Sequence, residues 1–413
     1  MLSVKNPIMT GFFPDPSICR VGNKFYTVHS TFAYFPGVPV FESEDLVHWN
    51  LISNVLDRDS QVPLSGCQHS EGIFAPTIRY HKGTWYMITT NVSDQGNFIV
   101  TAKDPRGPWS EPYYLGESTG GIDPSLFFDD DGTCYYIGQR PRSAGYRYNG
   151  DCEIWVQTLD LDTMQLKPDA TIVLTGFQRK AIWPEGPHLY KKDGYYYILH
   201  AESGTSIHHS VMIARSKNVF GPYEYCPCNP ILTHRHLGAQ YPVTCVGHAD
   251  LVDDGNGNWY MVVLACRPNQ GYTLLGRETF LAKVTWEDGW PVVNAGVGHL
   301  EEVVTLPYEG QPSDDVPQCK TYTFDTPSLP LELLTLRNHR DHELELHAEE
   351  HIVRLFHRCD SLKDCGEPAY LALRQQHWNC EFETSFIPHF CKESDCAGIA
   401  MVQSNENHLR AEC

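Results

Sequence analysis

The amino-acid sequence predicts an all-β protein, a β-propeller followed by a smaller β-sandwich domain that is incomplete at 413 residues. Two observations lead to this prediction. The first is a pattern that occurs five times, in which an apolar stretch leads to a glycine turn and then to paired aromatic residues. The second is a series of β-branched and aromatic segments bounded by turn residues, with no long stretch that keeps the apolar period of a helix.

The five repeats predict where functional side chains meet. They begin at Asp15, Ala75, Asp123, Glu185 and His248, and their turn glycines recur at intervals of 49 to 63 residues. This spacing is looser than a strict period but is typical of a propeller or array. The first strand of each propeller blade lines the central channel, so equivalent positions converge on the axis. We therefore expect Asp15, Asp123 and Glu185 to meet there, with His248 as a fourth member.

Composition divides the chain into three regions. Residues 1–305 carry the repeats and predict the propeller. Residues 306–330 are rich in proline and polar residues, which predicts a linker. Residues 331–413 are predicted to form a partial C-terminal β-sandwich domain, since segments such as 344–347 and 380–386 alternate like strands. Fewer than the ~100 residues of a usual sandwich remain for it.

Charge and cysteine content limit the classes of binding partner and the cellular compartment that the sequence predicts. The formal net charge is −20, from 31 basic and 51 acidic residues, which argues against nucleic acid or an anionic membrane as a partner. No apolar run approaches the ~18 residues of a membrane span, and the N-terminal segment lacks a secretory pattern. Fifteen scattered cysteines then predict reduced thiols and a cytoplasmic protein. A homo-oligomer is left open.

The three predicted axial acids suit the hydrolysis of a glycosidic bond. That reaction needs a proton for the leaving oxygen and an activated water at the anomeric carbon, and two carboxyl groups with different pKa values supply both. A third carboxylate raises the pKa of the acid. Glu185 has the longer reach of a proton donor, and an Asp suits a fixed base. Each acid alone is consistent with a structural role, because Asp-Pro commonly opens turns; their shared repeat position favours a functional site.

Other side chains have two interpretations each. Arg277, in the last repeat, is either an edge ion pair or a donor to sugar hydroxyls. Phe32 and Phe74 are either stacking walls for a sugar or blade core. His248 either binds a central cation, with Ca²⁺ the candidate, or a water, or fills the channel by hydrogen bonding. The segment 347–351 matches a zinc pattern that requires a helix, but its flanks alternate like strands.

At these residues the chain resembles glycoside hydrolase family 43, especially its β-xylosidase and α-L-arabinofuranosidase branch. The resemblance rests on stretches that occur in order through the repeats, namely 6–17, 34–41, 121–126, 185–190, 246–251 and 275–280. It implies a five-bladed propeller enzyme that inverts anomeric configuration and needs no cofactor. On the matching positions, Asp15 would be the general base, Glu185 the general acid, and Asp123 the residue that orients the acid and raises its pKa.

The resemblance also implies roles for the pocket residues. Arg277 would bind the sugar hydroxyls, Phe32 would line the same pocket, and His248 would lie beneath it. The family often carries Trp where this chain has Phe74, and its sandwich domain continues beyond this length. The expected activity is exo-acting removal of β-D-xylosyl residues from xylo-oligosaccharides. The alternatives are an α-L-arabinofuranosidase or bifunctional enzyme, a catalytically weakened sugar-binding propeller, and a scaffold for protein partners.

Overall fold

A computed structural model describes residues 1–116, 120–176, 179–312, 319–337 and 344–413 of the chain. Parts of the predicted linker (313–318) and of the predicted second domain (338–343) lie outside these described residues. Within them the regular structure consists of β-strands, with no α-helix. The described residues contain no helix long and apolar enough to cross a membrane.

The strands of the described residues are numbered here in chain order. Before and within the first blade are β1 (Leu2–Lys5), β2 (Ser17–Val21), β3 (Lys24–Val28), β4 (Tyr34–Phe35), β5 (Gly37–Ser43) and β6 (Asn50–Leu56). The second blade has β7 (Thr77–His81), β8 (Thr84–Asn91), β9 (Gly96–Ala102) and β10 (Tyr113–Tyr114). The third has β11 (Ile122–Phe128), β12 (Cys134–Pro141), β13 (Cys152–Asp160), β14 (Gln165–Leu166) and β15 (Thr171–Thr175). The fourth has β16 (Glu185–Lys192), β17 (Tyr195–Glu202), β18 (Ser210–Ser216) and β19 (Glu224–Tyr225). The fifth has β20 (Thr244–Asp253), β21 (Trp259–Cys266), β22 (Glu278–Glu287) and β23 (Trp290–Val293). Beyond the blades lie β24 (Val303–Leu306), β25 (Thr335–Leu336), β26 (Leu344–His347), β27 (Ile352–Leu355), β28 (Gly398–Val402) and β29 (His408–Glu412).

Five antiparallel sheets form the blades of a propeller, which confirms the predicted fold class. Their strand orders are β2-β3-β5-β6, β7 to β10, β11 to β14 with β15 beside β13, β16 to β19, and β20 to β23. The first strand of each blade contacts the first strand of the next, as in β2 with β7 and with β20. The five repeats of the sequence therefore correspond to five blades, and each repeat starts at the axis.

The hydrophobic core lies between neighbouring blades. One cluster joins Val28 of the first blade to Trp85 and Phe98 of the second, and another joins Leu199 of the fourth to Val263 of the fifth. Full burial of a large apolar side chain contributes roughly 1.5–3 kcal/mol. The aromatic residues after each turn glycine thus stabilise the contact between blades.

The N-terminal segment lies at the junction of the first and fifth blades. Strand β1 pairs with β24, with Leu2 opposite Leu306, and both side chains are buried. The side chain of Asn6 donates to the carbonyl of Leu281 and accepts from its N–H, so the segment is bonded to β22 of the last blade. Residues distant in sequence therefore hold the ring closed.

A buried hydrogen-bond network around Asp250, the axial hub, connects the innermost strands. The Asp250 carboxylate accepts bonds from Ser17 Oγ at 2.8 Å, Arg79 Nη1 at 3.0 Å and Tyr190 OH at 2.5 Å. The second Nη of Arg79 lies 3.1 Å from His188 Nδ1. Burial works to raise the pKa of Asp250, but Arg79 and His188 hold that pKa below its usual range. Four blades are thereby joined through one carboxylate.

The C-terminal region contacts the propeller through short pairings. Strand β25 pairs with β4, placing Thr335 opposite Phe35. Within the C-terminal region, Leu334 bridges to Ala372. The Arg337 side chain is fully buried and donates from Nε to the carbonyl of Cys67 in the propeller. These contacts join the two regions along one side of the first blade.

Two segments of the C-terminal region test strand predictions. The zinc-like segment 347–351 ends β26 and forms the turn before β27, so it is not a helix, as expected. Residues 380–386 contain no strand, so that prediction is wrong. Their alternating sequence finds no antiparallel partner among the described residues, and a strand requires one.

Candidate active site

Four residues at the axis share an unusual backbone conformation. Asp15, Asp123, Gly186 and His248 have φ values of 53°, 55°, 57° and 49°, all in the left-handed region. Three of them are not glycine, and each such residue costs of order 1–3 kcal/mol and keeps this conformation only where the surroundings impose it. Backbone strain of this kind clusters at functional sites. The repeat therefore places one residue in the left-handed conformation at the axis in four of the five blades, and three of these residues are strained.

Hydrogen bonds between blades fix the register of the repeats. Thr77 Oγ1 donates to the carbonyl of Pro124, and Ser125 Oγ donates in the same way to the carbonyl of Pro187. The two prolines thus occupy equivalent positions, and a glycine precedes the second. Glu185 lies one residue earlier, so the prediction that three acids share one repeat position is wrong for this acid. The left-handed position there is occupied by glycine, which adopts it without steric cost.

Asp15 is held as a carboxylate. It is 5% exposed, its Oδ1 accepts from Arg277 Nη1 at 2.7 Å, and its Oδ2 accepts from Ser30 Oγ at 2.6 Å. His248 Nδ1 lies 4.0 Å from Oδ1. Burial works to raise the pKa of Asp15, but Arg277, His248 and Ser30 together hold it below its usual value. The group is therefore ionised at neutral pH, as a general base must be.

The pKa values of Glu185 and Asp123 are shifted in the opposite direction, above their usual values. Burial, together with the charges of Asp123 and Asp15, raises the pKa of Glu185 well above its usual value. Burial also raises the pKa of Asp123 to about 6, although its Oδ2 accepts a 3.1 Å bond from Gly186 N–H. The structure brings the three predicted acids close enough to influence one another's protonation. Their pKa values are pushed apart, which is how two carboxyl groups become an acid and a base.

An aromatic wall lies beside Asp15. Phe32 stacks on Phe12 with ring centroids 5.5 Å apart and meets Phe74 edge to face at 5.2 Å. The Arg277 guanidinium carbon lies 5.0 Å from the centroid of the Phe32 ring. Phe12 was not predicted, although it lies in the same stretch as Asp15. A Cβ at Gly276 would lie 2.5 Å from the Phe12 ring, so this glycine makes room for it.

His248 packs beneath the acids. A Cβ on Gly186 would lie 2.9 Å from its Cε1, so glycine is required at that contact. The sequence did not indicate His209, a buried neighbour whose Nδ1 lies 3.0 Å from the carbonyl of Cys245. Within the described ranges, no group of three or more His, Cys, Asp or Glu side chains could hold a metal ion. The Ca²⁺ site near His248 stays a prediction, without a ligand set in this part of the chain.

A cavity of about 820 Å³ opens on one side of Glu185. Asn91, Gln139, Tyr148 and Trp183 contribute to its walls, and Asp15 and Arg277 do not. The sequence did not indicate these wall residues, because they come from strands and loops of three blades and share no motif. Glu185 therefore contributes to the wall of this cavity and is also close enough to Asp15 and Arg277 for their charges to act on its pKa.

The fold and this site define a class of protein. A propeller whose axis holds a Glu of raised pKa and an ionised Asp, beside an arginine and an aromatic wall, has the groups that hydrolyse a glycosidic bond. Residues 4–291 match the glycosyl hydrolases family 43. Residues 321–413 match the β-xylosidase C-terminal concanavalin A-like domain. The chain belongs to glycosyl hydrolase family 43, as the resemblance of its motifs predicts.

Relatives with similar sequences span nearly the whole chain. A xylosidase/arabinosidase of Butyrivibrio fibrisolvens is 55% identical, over 99% of this chain and 79% of that protein. A non-reducing end α-L-arabinofuranosidase of Bacteroides ovatus is 40% identical, over 98% of this chain and 74% of that protein. Among solved structures, a xylan β-1,4-xylosidase from Bacillus halodurans superposes with a TM-score of 0.87 at 36% identity, covering 99% of this chain and 79% of that one.

The influence of Asp123 on Glu185 predicts a shift in the pH profile. In Asp123→Asn the negative charge that raises the pKa of Glu185 is lost, so Glu185 releases its proton at lower pH. The basic limb of kcat/KM should therefore move to lower pH. The acidic limb, set by Asp15, should stay nearly fixed. Asp131→Asn, in an exposed hairpin turn, is the control and should move neither limb. An unchanged basic limb in Asp123→Asn would contradict the coupling.

Proposed function

We propose that this protein is an inverting, exo-acting glycosidase that removes β-D-xylosyl residues from xylo-oligosaccharides. The observation that carries the proposal is the opposite displacement of two pKa values at one site. The pKa of Asp15 is held low by Arg277, His248 and Ser30 against its burial, and that of Glu185 is raised by burial and by neighbouring carboxylates. One side chain is ready to take a proton and the other to give one at the same pH.

The proposed reaction is a single displacement. Asp15 accepts a proton from water as the water oxygen attacks the anomeric carbon, and Glu185 donates its proton to the leaving oxygen as the glycosidic bond breaks. The attack comes from the face opposite the leaving group, so the configuration inverts. We expect the two carboxyl groups to lie ~6.5–9.5 Å apart, the spacing that admits a water between base and sugar.

Arg277 and the aromatic wall support the binding of the sugar that is released. One Nη of Arg277 holds Asp15, and a guanidinium has further N–H donors that suit sugar hydroxyls. Phe32 and Phe12 offer apolar surface next to it. In this proposal the arginine couples sugar binding to the position of the base.

The names of three relatives support the choice of substrate and its alternative. The Bacillus halodurans structure is a xylan β-1,4-xylosidase, and the Butyrivibrio protein is named for both xylosidase and arabinosidase activity. The Bacteroides ovatus relative is named an α-L-arabinofuranosidase. A bifunctional enzyme is therefore the second candidate. All fifteen cysteines are unpaired, which supports our proposal of a reducing, cytoplasmic compartment.

Paired synthetic substrates test the proposal. Nitrophenyl β-D-xylopyranoside and nitrophenyl α-L-arabinofuranoside are hydrolysed in parallel, and the first anomer of each product is followed by NMR. We expect the xyloside to be the better substrate and α-xylose to form first. Initial β-xylose would instead indicate retention. Xylose binding by calorimetry with no hydrolysis of either substrate would select the sugar-binding propeller.

A further inference from the structure

The cavity beside Glu185 lies on the leaving-group side of the bond that is cut. Glu185 gives its proton to the leaving oxygen, so a sugar in the pocket of Asp15 and Arg277 has its leaving group on the other side of this residue. The volume of the cavity, about 820 Å³, falls in the range of roughly 300–1,000 Å³ that encloses a drug-sized ligand. The cavity therefore has room for more than one sugar ring.

Trp183 is an exposed indole fixed in this cavity, two residues before Glu185. It lines the cavity and 41% of its surface is exposed. Its backbone has a φ of 48°, and its N–H donates to the carbonyl of Gly150 at 2.8 Å. The edge of the ring lies on Gly204, where a Cβ would be 2.9 Å from Cε3. A large aromatic ring is thus held in a strained position without being buried.

The loop that faces Trp183 is anchored to the same segment. Arg147 bonds Asp151 through two nitrogens, each at 2.7 Å, which fixes the loop 142–151 between β12 and β13. Tyr148 OH then donates to the carbonyl of Ala181 at 2.8 Å. The cavity wall is therefore preorganised, which reduces the entropy lost when a ligand binds.

The remaining lining has the composition of a site for a neutral sugar. Gln139 supplies an amide group, and Asp94 supplies a carboxylate, on walls shared with the indole. Apolar aromatic surface with a few polar groups is the usual makeup of a small-molecule site. A sugar ring has an apolar face for the indole and hydroxyls for the polar groups of Gln139 and Asp94.

We propose that Trp183 is the platform on which the leaving-group sugar stacks, and that it makes the enzyme selective for oligosaccharide leaving groups. This inference rests on the proposed glycosidase function. In this proposal a single aromatic side chain makes the enzyme prefer a sugar to a small group as the leaving group. The xylosyl residue bound beside Arg277, Asp15 and Phe32 does not contact Trp183, because those three residues lie outside this cavity.

The test compares two substrates that differ only in the leaving group. Xylotriose places sugars in the cavity, whereas β-D-xylopyranosyl fluoride leaves it empty. Trp183→Ala should lower kcat/KM for xylotriose by about 10- to 100-fold, the scale of one lost aromatic contact. It should change kcat/KM for the fluoride by no more than about twofold. Trp183→Phe should restore most of the xylotriose activity. Tyr113→Ala, an aromatic of 44% exposure on the outermost strand β10, is the control and should alter neither rate.

Each other outcome overturns the proposal. Equal losses on both substrates would show that Trp183 only supports the position of Glu185 or the fold. Unchanged activity on xylotriose would show that the leaving group does not use the indole. A wild-type enzyme that hydrolyses neither substrate would refute the proposed function itself, and so the two failures are distinguishable.

Discussion

Asp15→Asn should lower kcat for nitrophenyl β-xyloside by several orders of magnitude while the propeller stays folded. Asparagine has the same shape, and its amide oxygen can still accept a bond from Arg277 or Ser30, so the site keeps its geometry. It cannot take a proton from water. General base catalysis contributes roughly 10²–10⁴-fold, and the variant also loses the charge that Arg277 is placed to balance. Steady-state kinetics, together with a circular dichroism spectrum, measures the loss and checks the fold.

Glu185→Ala gives the matching experiment for the other half of the mechanism. A dinitrophenyl group leaves without needing a proton, so this variant should keep far more activity on dinitrophenyl β-xyloside than on xylobiose. Asp15→Asn should lose activity on both substrates, because both need an activated water. Asp254→Asn, which alters a buried acid in the β20–β21 turn, is the control. If Asp15→Asn and Glu185→Ala both kept near-full activity on aryl xylosides, the assignment of the acid and the base would be wrong.

The repeats of the sequence were sufficient to predict the axial acids, for a topological reason. Turn glycines mark the blades, the first strand of each blade lines the axis, and Asp15 and Asp123 precede or begin such strands. Glu185 shows the limit of that reasoning. A pattern of residue types does not reveal which residue adopts the left-handed conformation, and Gly186 takes that position one residue later.

Contacts that depend on distant parts of the chain could not be predicted in this way. Phe12 and Phe32 stack because Gly276, from the last blade, leaves space for the Phe12 ring. His209 directly precedes β18 of the fourth blade and has no repeat position. The axial hub joins Arg79 and Asp250, which are 171 residues apart and look like ordinary strand residues in sequence. Such residues meet only because the propeller closes into a ring, and no local sequence pattern indicates which residues closure brings together.

That hub supplies the prediction with the largest effect on stability. Asp250→Ala should lower the free energy of unfolding by about 3–5 kcal/mol, the usual cost of removing one partner of a buried ion pair. The loss leaves the guanidinium of Arg79 without its carboxylate, and the hydroxyls of Ser17 and Tyr190 without their acceptor. Chemical denaturation followed by fluorescence measures the change. Asp253→Ala alters an acid on the same strand whose side chain is 41% exposed in its pair with Arg20, and should cost no more than about 1 kcal/mol. Equal effects of the two variants would contradict the role of burial.

A double variant distinguishes the cost of leaving the buried charge of Arg79 unpaired from the net contribution of the Asp250–Arg79 pair to stability. Asp250→Leu with Arg79→Met replaces both charged groups by apolar ones, and such replacements of buried ion pairs are often neutral in stability. We therefore expect the double variant to recover a large part of the stability that Asp250→Ala loses. Its activity should not recover to the same extent. Ser17 follows Asp15 by two residues and is bonded to Asp250, so the hub also fixes the strand end that carries the general base. Restored stability with reduced kcat would show that this buried carboxylate positions the active site, whereas full recovery of both would limit the hub to a structural role.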